Sequence, residues 1–200
     1  MPSWDERFSE PGFLFGTEPA DFVRRNAHRI RPGDRVLAVA DGEGRNSVFV
    51  AGLGADVTAM DASAVAQDKA RALAAERGVA VDFRLSDIDA WPWDEAAFDV
   101  ALGVFIQFSP PEQRARVFTG MARTLRPGGL LLLHGYAPRQ IGYGTGGPPM
   151  VENLYAPGLL PEAFPGFQIL ESRDYDAKVA EGRGHSGLSA LVDFVALKPA

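Results

Sequence analysis

Two glycines and one carboxylate carry the first chemical signal in this chain. The segment ADGEGRN, residues 40 to 46, follows an apolar run directly, and Gly42 and Gly44 have no side chains to hold the backbone away from a bound molecule. A helix starting after such a turn offers unpaired N–H groups to a carboxylate or another anion. Asp61 closes the next apolar run. A carboxylate there can accept hydrogen bonds from both hydroxyls of a ribose, so turn and acid together describe a nucleoside-containing ligand laid across a sheet edge. The competing account is that small residues between strand and helix only allow close packing. A dinucleotide fingerprint needs a third small residue three positions after Gly44; Ser47 can stand there, so spacing alone does not exclude NAD.

The elements that would position these residues are legible as apolar runs of strand length: RVLAVA at 35–40, DVTAM at 56–60, VDFRL at 81–85, DVALGV at 99–104 and LLLLHG at 130–135. Between them lie helical patterns. Residues 64–77 have good helix formers, a cap at Ser63 and a terminating Gly78. Residues 110–125 have Ser109 as the expected cap, two prolines in the first turn, and Ala115, Phe118, Met121, Ala122 and Leu125 on one face. Strands alternating with helices imply crossovers, and a run such as LLLL implies a strand covered on both faces. That is an α/β fold with a doubly wound sheet. After Gly135 the alternation lapses into a long segment rich in Gly, Pro and Tyr, expected at 136–158 as a substrate-side loop. A short helix near 159–164 and two closing strands, FQILESRDY and LSALVDFVALK, follow.

Composition excludes several classes of function. At 200 residues the chain fits one domain, 1–200, able to bury about 70% of its unfolded surface. A net charge of -6 argues against nucleic acid as the main partner. The absence of cysteine removes disulfides, thiolate metal sites and cysteine nucleophiles. His28, His134 and His185 make no ligand motif, and no metal site is expected. The opening MPSWDERFSE is polar and no apolar stretch has the length of a membrane span, so neither a signal peptide nor a membrane partner is expected, and a cytoplasmic protein is.

The later segments add specificity. WDERFSEPGFLFGTEP, ADGEGRN, Asp61, SDIDAWPW, and FDVALGVFIQFSPPEQR followed by LRPGGLLLLHGYAP resemble, in that order, the motifs of the class I S-adenosylmethionine-dependent methyltransferases, in the small tellurite-resistance and thiopurine methyltransferase-like branch. The resemblance covers almost the whole chain. It implies a seven-stranded Rossmann-like sheet of order 3-2-1-4-5-7-6 with one antiparallel strand, and S-adenosyl-L-methionine as cofactor. It also implies an N-terminal lid and helix over 1–30, with Trp4 over the cofactor. Carried onto this chain, the cofactor-binding positions are Ala40, Gly42, Gly44, Asn46, Asp61, Ala62, Asp87, Ile88, Gly103 and Val104. Two positions depart from the family. Ala38 replaces an acid that often holds the amino end of the cofactor, and Asp5, Glu18 or Asp41 can take its place. Ala40 replaces the first glycine, a mild change where φ is negative.

With that cofactor the reaction is an in-line displacement on an activated methyl carbon by a small-molecule acceptor. The protein must align the reactants, exclude water and, where the nucleophile requires it, take a proton. Gln107, after the fourth strand, is a pocket residue or a helix-start contact. His185, in EGRGHSGLS between the closing strands, faces the acceptor or fastens a glycine-rich hairpin. The aromatics Trp4, Phe8, Phe13 and Phe15 cover the cofactor or pack on the sheet. The alternative functions are a non-catalytic S-adenosylmethionine-binding or sensor protein, and an NAD-type oxidoreductase.

Overall fold

Seven strands form one sheet in the order β3-β2-β1-β4-β5-β7-β6. A computed structural model describes residues 3–200, so Met1 and Pro2 of the expected lid lie outside the described residues. The chain divides into two compact units, Met1–Trp91 with Glu181–Gly184, and Pro92–Ala180 with His185–Ala200.

The first unit holds α1 (Trp4–Phe8), α2 (Asp21–Asn26), β1 (Arg35–Val39), α3 (Arg45–Gly52), β2 (Asp56–Asp61), α4 (Ala64–Arg77) and β3 (Asp82–Leu85). β1 pairs parallel with β2, and β2 parallel with β3. Their buried side chains, among them Val36, Leu37, Val57 and Met60, are apolar because strands joined by crossover helices are covered on both faces. α4 starts at Ser63, whose hydroxyl accepts the Ala66 N–H, and ends at Gly78 with a left-handed φ of 67°. It buries Ala66, Ala70, Leu73 and Ala74 at three- and four-residue spacing. The alanines let the helix approach closely: a Cβ at Gly44 would stand 2.6 Å from that of Ala70.

The second unit holds β4 (Phe98–Val104), α5 (Pro111–Thr124), β5 (Leu125–Tyr136), α6 (Gln140–Tyr143), α7 (Leu159–Ala163), β6 (Gln168–Glu181), whose last residue belongs to the first unit, and β7 (His185–Leu197). β4 and β5 are parallel and β5 and β7 antiparallel, as the expected topology requires. Five details differ from expectation. The residue capping α5 is Pro110, without a side-chain hydrogen bond, because proline's fixed φ suits a helix start; the expected cap, Ser109, is buried just before it. α5 buries Val117, Phe118, Gly120, Met121 and Thr124 and leaves Ala115 exposed, because the Trp93 indole lies where a Gly120 side chain would be. β5 begins at Leu125 through a register shift between Phe98 and Val100. The closing strands run longer than their apolar cores, leaving a turn of Gly182–Gly184, so His185 is the first residue of β7 and not a loop residue. The segment 136–158, expected as one loop, contains α6 and a short 3-10 turn at Val151–Asn153.

Candidate active site

The glycine turn joins β1 to α3, and Gly44 caps α3 in the left-handed region at φ 86°. That glycine is required twice over, by its φ and by the approach of Ala70, so the close-packing account holds for it beside any ligand role. Gly42, φ 64°, has the Phe8 ring 3.5 Å from where a Cβ would be. Ala40 overturns the expectation of a negative φ. Its φ is 48°, a conformation that costs an L-residue about 1–2 kcal/mol.

Asp61 ends β2 with one carboxylate oxygen 2.8 Å from the Gly42 N–H and the other 2.8 Å from the Ser63 N–H. Two backbone donors therefore aim the carboxylate and leave further acceptor capacity on each oxygen. Burial raises its pKa, opposed by those two hydrogen bonds. Asp41 lies in the turn itself and accepts from both the N–H and the hydroxyl of Ser47. Burial pushes it up to about 6, the Ser47 hydroxyl pulling it down and the Asp61 charge raising it further. Of the other acids weighed for the place left by Ala38, Asp5 meets the Ser63 hydroxyl at 2.5 Å. Glu18 is committed on the surface to Arg77 at 2.9 Å and Arg24 at 3.6 Å. Ala62 follows Asp61 and is exposed. Asp87 is exposed beyond β3 and accepts the Asp89 N–H, while Ile88 beside it is buried.

Three side chains of the same turn and helix start fasten the N-terminal segment, a role that sequence reasoning missed. Glu43 is buried and accepts the N–H of Leu14 at 2.7 Å and of Phe15 at 3.4 Å. Its other oxygen meets Lys69 Nζ at 3.0 Å, and Lys69 also donates to the carbonyls of Glu10 and Gly12. Arg45 donates to the Phe15 carbonyl and pairs with Glu181 at 2.8 Å, both side chains largely buried. Asn46, expected at the cofactor, is buried with its side-chain carbonyl accepting the Ala20 N–H at 2.9 Å. From the hairpin tip, the Arg183 and Gly184 N–H groups donate to the Leu14 carbonyl. Trp4 is partly exposed and stacks on Phe8 at 5.5 Å, with Arg7 over its ring.

In the second unit, Gly103 lies where a Cβ would collide with Ile106 and Leu133, and Val104 ends β4. Phe105 follows with a left-handed φ of 57°. Gln107 is buried, its amide donating to the Tyr136 carbonyl at 2.8 Å and accepting the Tyr136 N–H at 2.5 Å, as a neighbouring strand would. His185 is buried, 4.2 Å from the Phe105 ring and 5.7 Å from that of Tyr136. Also missed was a buried pair on β5 and β7, His134 and Asp193, 2.7 Å apart. Only the strand register brings them together; nothing in their sequence spacing announces it. Among the described residues no group of three His, Asp or Glu could hold a metal ion, and no helix is long and apolar enough to cross a membrane.

Residues 36–129, the stretch that contains the glycine turn, Asp61 and β4, match the methyltransferase domain family. A ribosomal protein L11 methyltransferase of Symbiobacterium thermophilum is 32% identical over 152 residues, covering 68% of this chain and 47% of its own length. An uncharacterised protein of Mycobacterium tuberculosis is 36% identical over 110 residues, covering 54% of this chain and 39% of its own. The chain thus spans about two fifths to one half of the curated relatives it matches. TehB of Haemophilus influenzae superposes with a TM-score of 0.73 at 19% identity, over 98% of this chain and 65% of that one, a likeness of fold alone. An aimed acid after β2, a glycine turn opening α3 and the helix start that follows it suit S-adenosylmethionine, and the strand order is that of the Rossmann-like methyltransferase fold, with a methyltransferase domain matched over residues 36–129.

Proposed function

We propose that the chain transfers the methyl group of S-adenosylmethionine to a small-molecule acceptor in the cytoplasm. The observation that carries the cofactor assignment is Asp61, held by the Gly42 and Ser63 N–H groups at the end of β2. Asp61 receives the ribose hydroxyls, the N-terminal turn of α3 receives the carboxylate, and Asp87 and Ile88 border the adenine. Gly103 and Val104 contribute backbone. Asp41 is assigned the place left by Ala38, since a carboxyl pushed up to about 6 is stabilised when an ammonium group comes beside it. Residues 3–18 form the cover, held by Glu43, Arg45 and Lys69. The cofactor supplies an activated methyl carbon; the chain's own residues bind, align and exclude water. Gln107 fixes the Tyr136 backbone and His185 offers a hydrogen bond to the acceptor.

The small-molecule assignment is supported by the acidic balance of the chain. A protein acceptor is the second reading, favoured by the relative that methylates ribosomal protein L11. Transfer of labelled methyl groups, scored in parallel on a panel of small thiols, phenols and amines and on ribosomal proteins, separates the two. Label appearing only in protein overturns the small-molecule reading. Label nowhere, with S-adenosylmethionine still bound, leaves the non-catalytic alternative in its place. Asp61→Ala should weaken S-adenosylmethionine binding by about 1.5–3 kcal/mol, the scale of charge-assisted hydrogen bonds, as measured by titration calorimetry. Unchanged affinity would move the ribose elsewhere.

A further inference from the structure

Resting on the reading of the glycine turn and Asp61 as the cofactor site, we propose that Lys69 is a positioning residue whose ammonium pins the N-terminal strap, residues 10–16, over that turn and so sets how long the cofactor stays. All the groups concerned belong to the first unit, which includes Glu181–Gly184. The strap forms neither helix nor strand, so its backbone groups need partners from elsewhere. Lys69 supplies two of them. Its Nζ donates to the Glu10 carbonyl at 2.9 Å and to the Gly12 carbonyl at 2.6 Å, and meets Glu43 Oε1 at 3.0 Å. An ammonium has three N–H donors, and here each has an acceptor. Glu43 completes the link, its other oxygen accepting the Leu14 N–H at 2.7 Å and the Phe15 N–H at 3.4 Å. One ion pair thus holds the strap at Glu10, Gly12, Leu14 and Phe15.

The place of this pair follows from the packing of α4 on the turn. Gly44 lets Ala70 approach until no side chain would fit between them, and the residues just before these two, Glu43 and Lys69, are brought together by the same approach. The need for glycine at position 44 and the ammonium beneath the strap are two results of one contact. The chain ahead of the strap reaches the same turn: the Phe8 ring lies against Gly42, and Asp5 meets the Ser63 hydroxyl beside Asp61. A cofactor held by the turn and Asp61 therefore leaves by lifting this segment.

Burial decides which bonds give way. The Glu43 side chain is 2% exposed and the Lys69 side chain 23%. Lys69 can hand its two carbonyl bonds to water, whereas Glu43 would be left as a buried, uncompensated charge if the ammonium moved off with the strap. The ion pair therefore stays on the turn, and the strap carbonyls are what it lets go. A second grip comes from the hairpin tip, where the Arg183 and Gly184 N–H groups donate to the Leu14 carbonyl and the Phe15 ring lies where a Gly184 side chain would be. That grip holds the strap's far end, so loss of Lys69 loosens the strap without detaching it.

The test follows labelled S-adenosylmethionine leaving the full chain during a chase with unlabelled S-adenosylhomocysteine, beside thermal unfolding of each variant. In Lys69→Met the dissociation rate should rise about tenfold or more, the scale of losing charge-assisted hydrogen bonds; binding too brief to follow, in a folded variant, is the same result. That substitution leaves Glu43 buried without its countercharge, so the double variant Lys69→Met with Glu43→Gln decides the matter where the single one fails to fold. It keeps an acceptor for the Leu14 N–H and should also release the cofactor about tenfold faster. Release at the wild-type rate from the folded variants, with only the unfolding temperature lowered, makes Lys69 a stability residue and overturns the proposal. A wild-type chain that binds no S-adenosylmethionine removes the cofactor site and the pin together, whereas bound cofactor that leaves every variant at the wild-type rate removes the pin alone.

Discussion

Ala40 occupies a left-handed position in a turn where a glycine would sit without strain, and so stores energy in the link between β1 and α3. Ala40→Gly should raise unfolding free energy by about 1 kcal/mol in urea titrations, the relief of Cβ strain exceeding the added chain entropy. Its neighbour Asp41 makes stability depend on pH. A carboxyl raised from 3.8 to about 6 keeps its proton longer in the folded chain, so its penalty is absent below about pH 4, grows as pH rises, and is complete above about pH 6. Relative to wild type, Asp41→Asn should gain about 2 kcal/mol between pH 4 and pH 7 in the same titrations. A constant difference across that range would mean that Asp41 is ionised with no penalty in the fold. The glycine turn and the place of Asp61 at the end of β2 were legible because both are written in residue type and spacing. The Ala40 conformation was not, since alanine is compatible with either sign of φ until the backbone on both sides is known. The His134–Asp193 pair depends on a contact across 59 residues, set by which strands neighbour each other.

Among elements, α4 and strands β1 to β5 were readable from periodicity and caps, because each is decided by residues within a few positions of one another. The closing hairpin was read too short: alternation in AKVAE is weak, and the three-residue turn becomes evident only when both strands are seen paired. The fastening of the N-terminal segment was invisible for a related reason. Glu43 reads as an ordinary acid between glycines, and its partner Lys69 lies on another element. Replacing Glu43 by Gln keeps an acceptor for the Leu14 N–H and removes the charge opposite Lys69. Hydrogen exchange at Leu14 and Phe15 should then speed up by an amount equivalent to about 1–3 kcal/mol, while amides in β1 and β2 keep their protection. Uniform acceleration across the first unit would instead make Glu43 a general stability residue.

At the scale of the whole molecule the strand order followed from resemblance, while composition bounded only class and size. The most direct global readout is ligand-linked stability. At a hundredfold excess over its dissociation constant, S-adenosylmethionine should add about 2.7 kcal/mol to unfolding free energy and raise Tm accordingly, with NAD giving no shift. A shift with NAD and none with S-adenosylmethionine would return the chain to the oxidoreductase alternative.

The hairpin tip carries one more consequence, for the order in which the chain is made. Arg183 donates to the carbonyl of Pro11 across 172 residues, and Arg183 and Gly184 together hold the Leu14 carbonyl. During synthesis at about 5–20 residues per second, the Pro11 and Leu14 carbonyls therefore wait on the order of ten seconds for partners that have not yet been translated. Glu43, Arg45 and Lys69 reach the segment early, but the Pro11 and Leu14 carbonyls gain their hairpin partners only after that interval, and until then Phe13, Leu14 and Phe15 are less firmly held against chaperones and proteases. Ribosome-bound chains halted before residue 180 should be cut by a protease within residues 3–18, and chains that have emerged past residue 185 should resist.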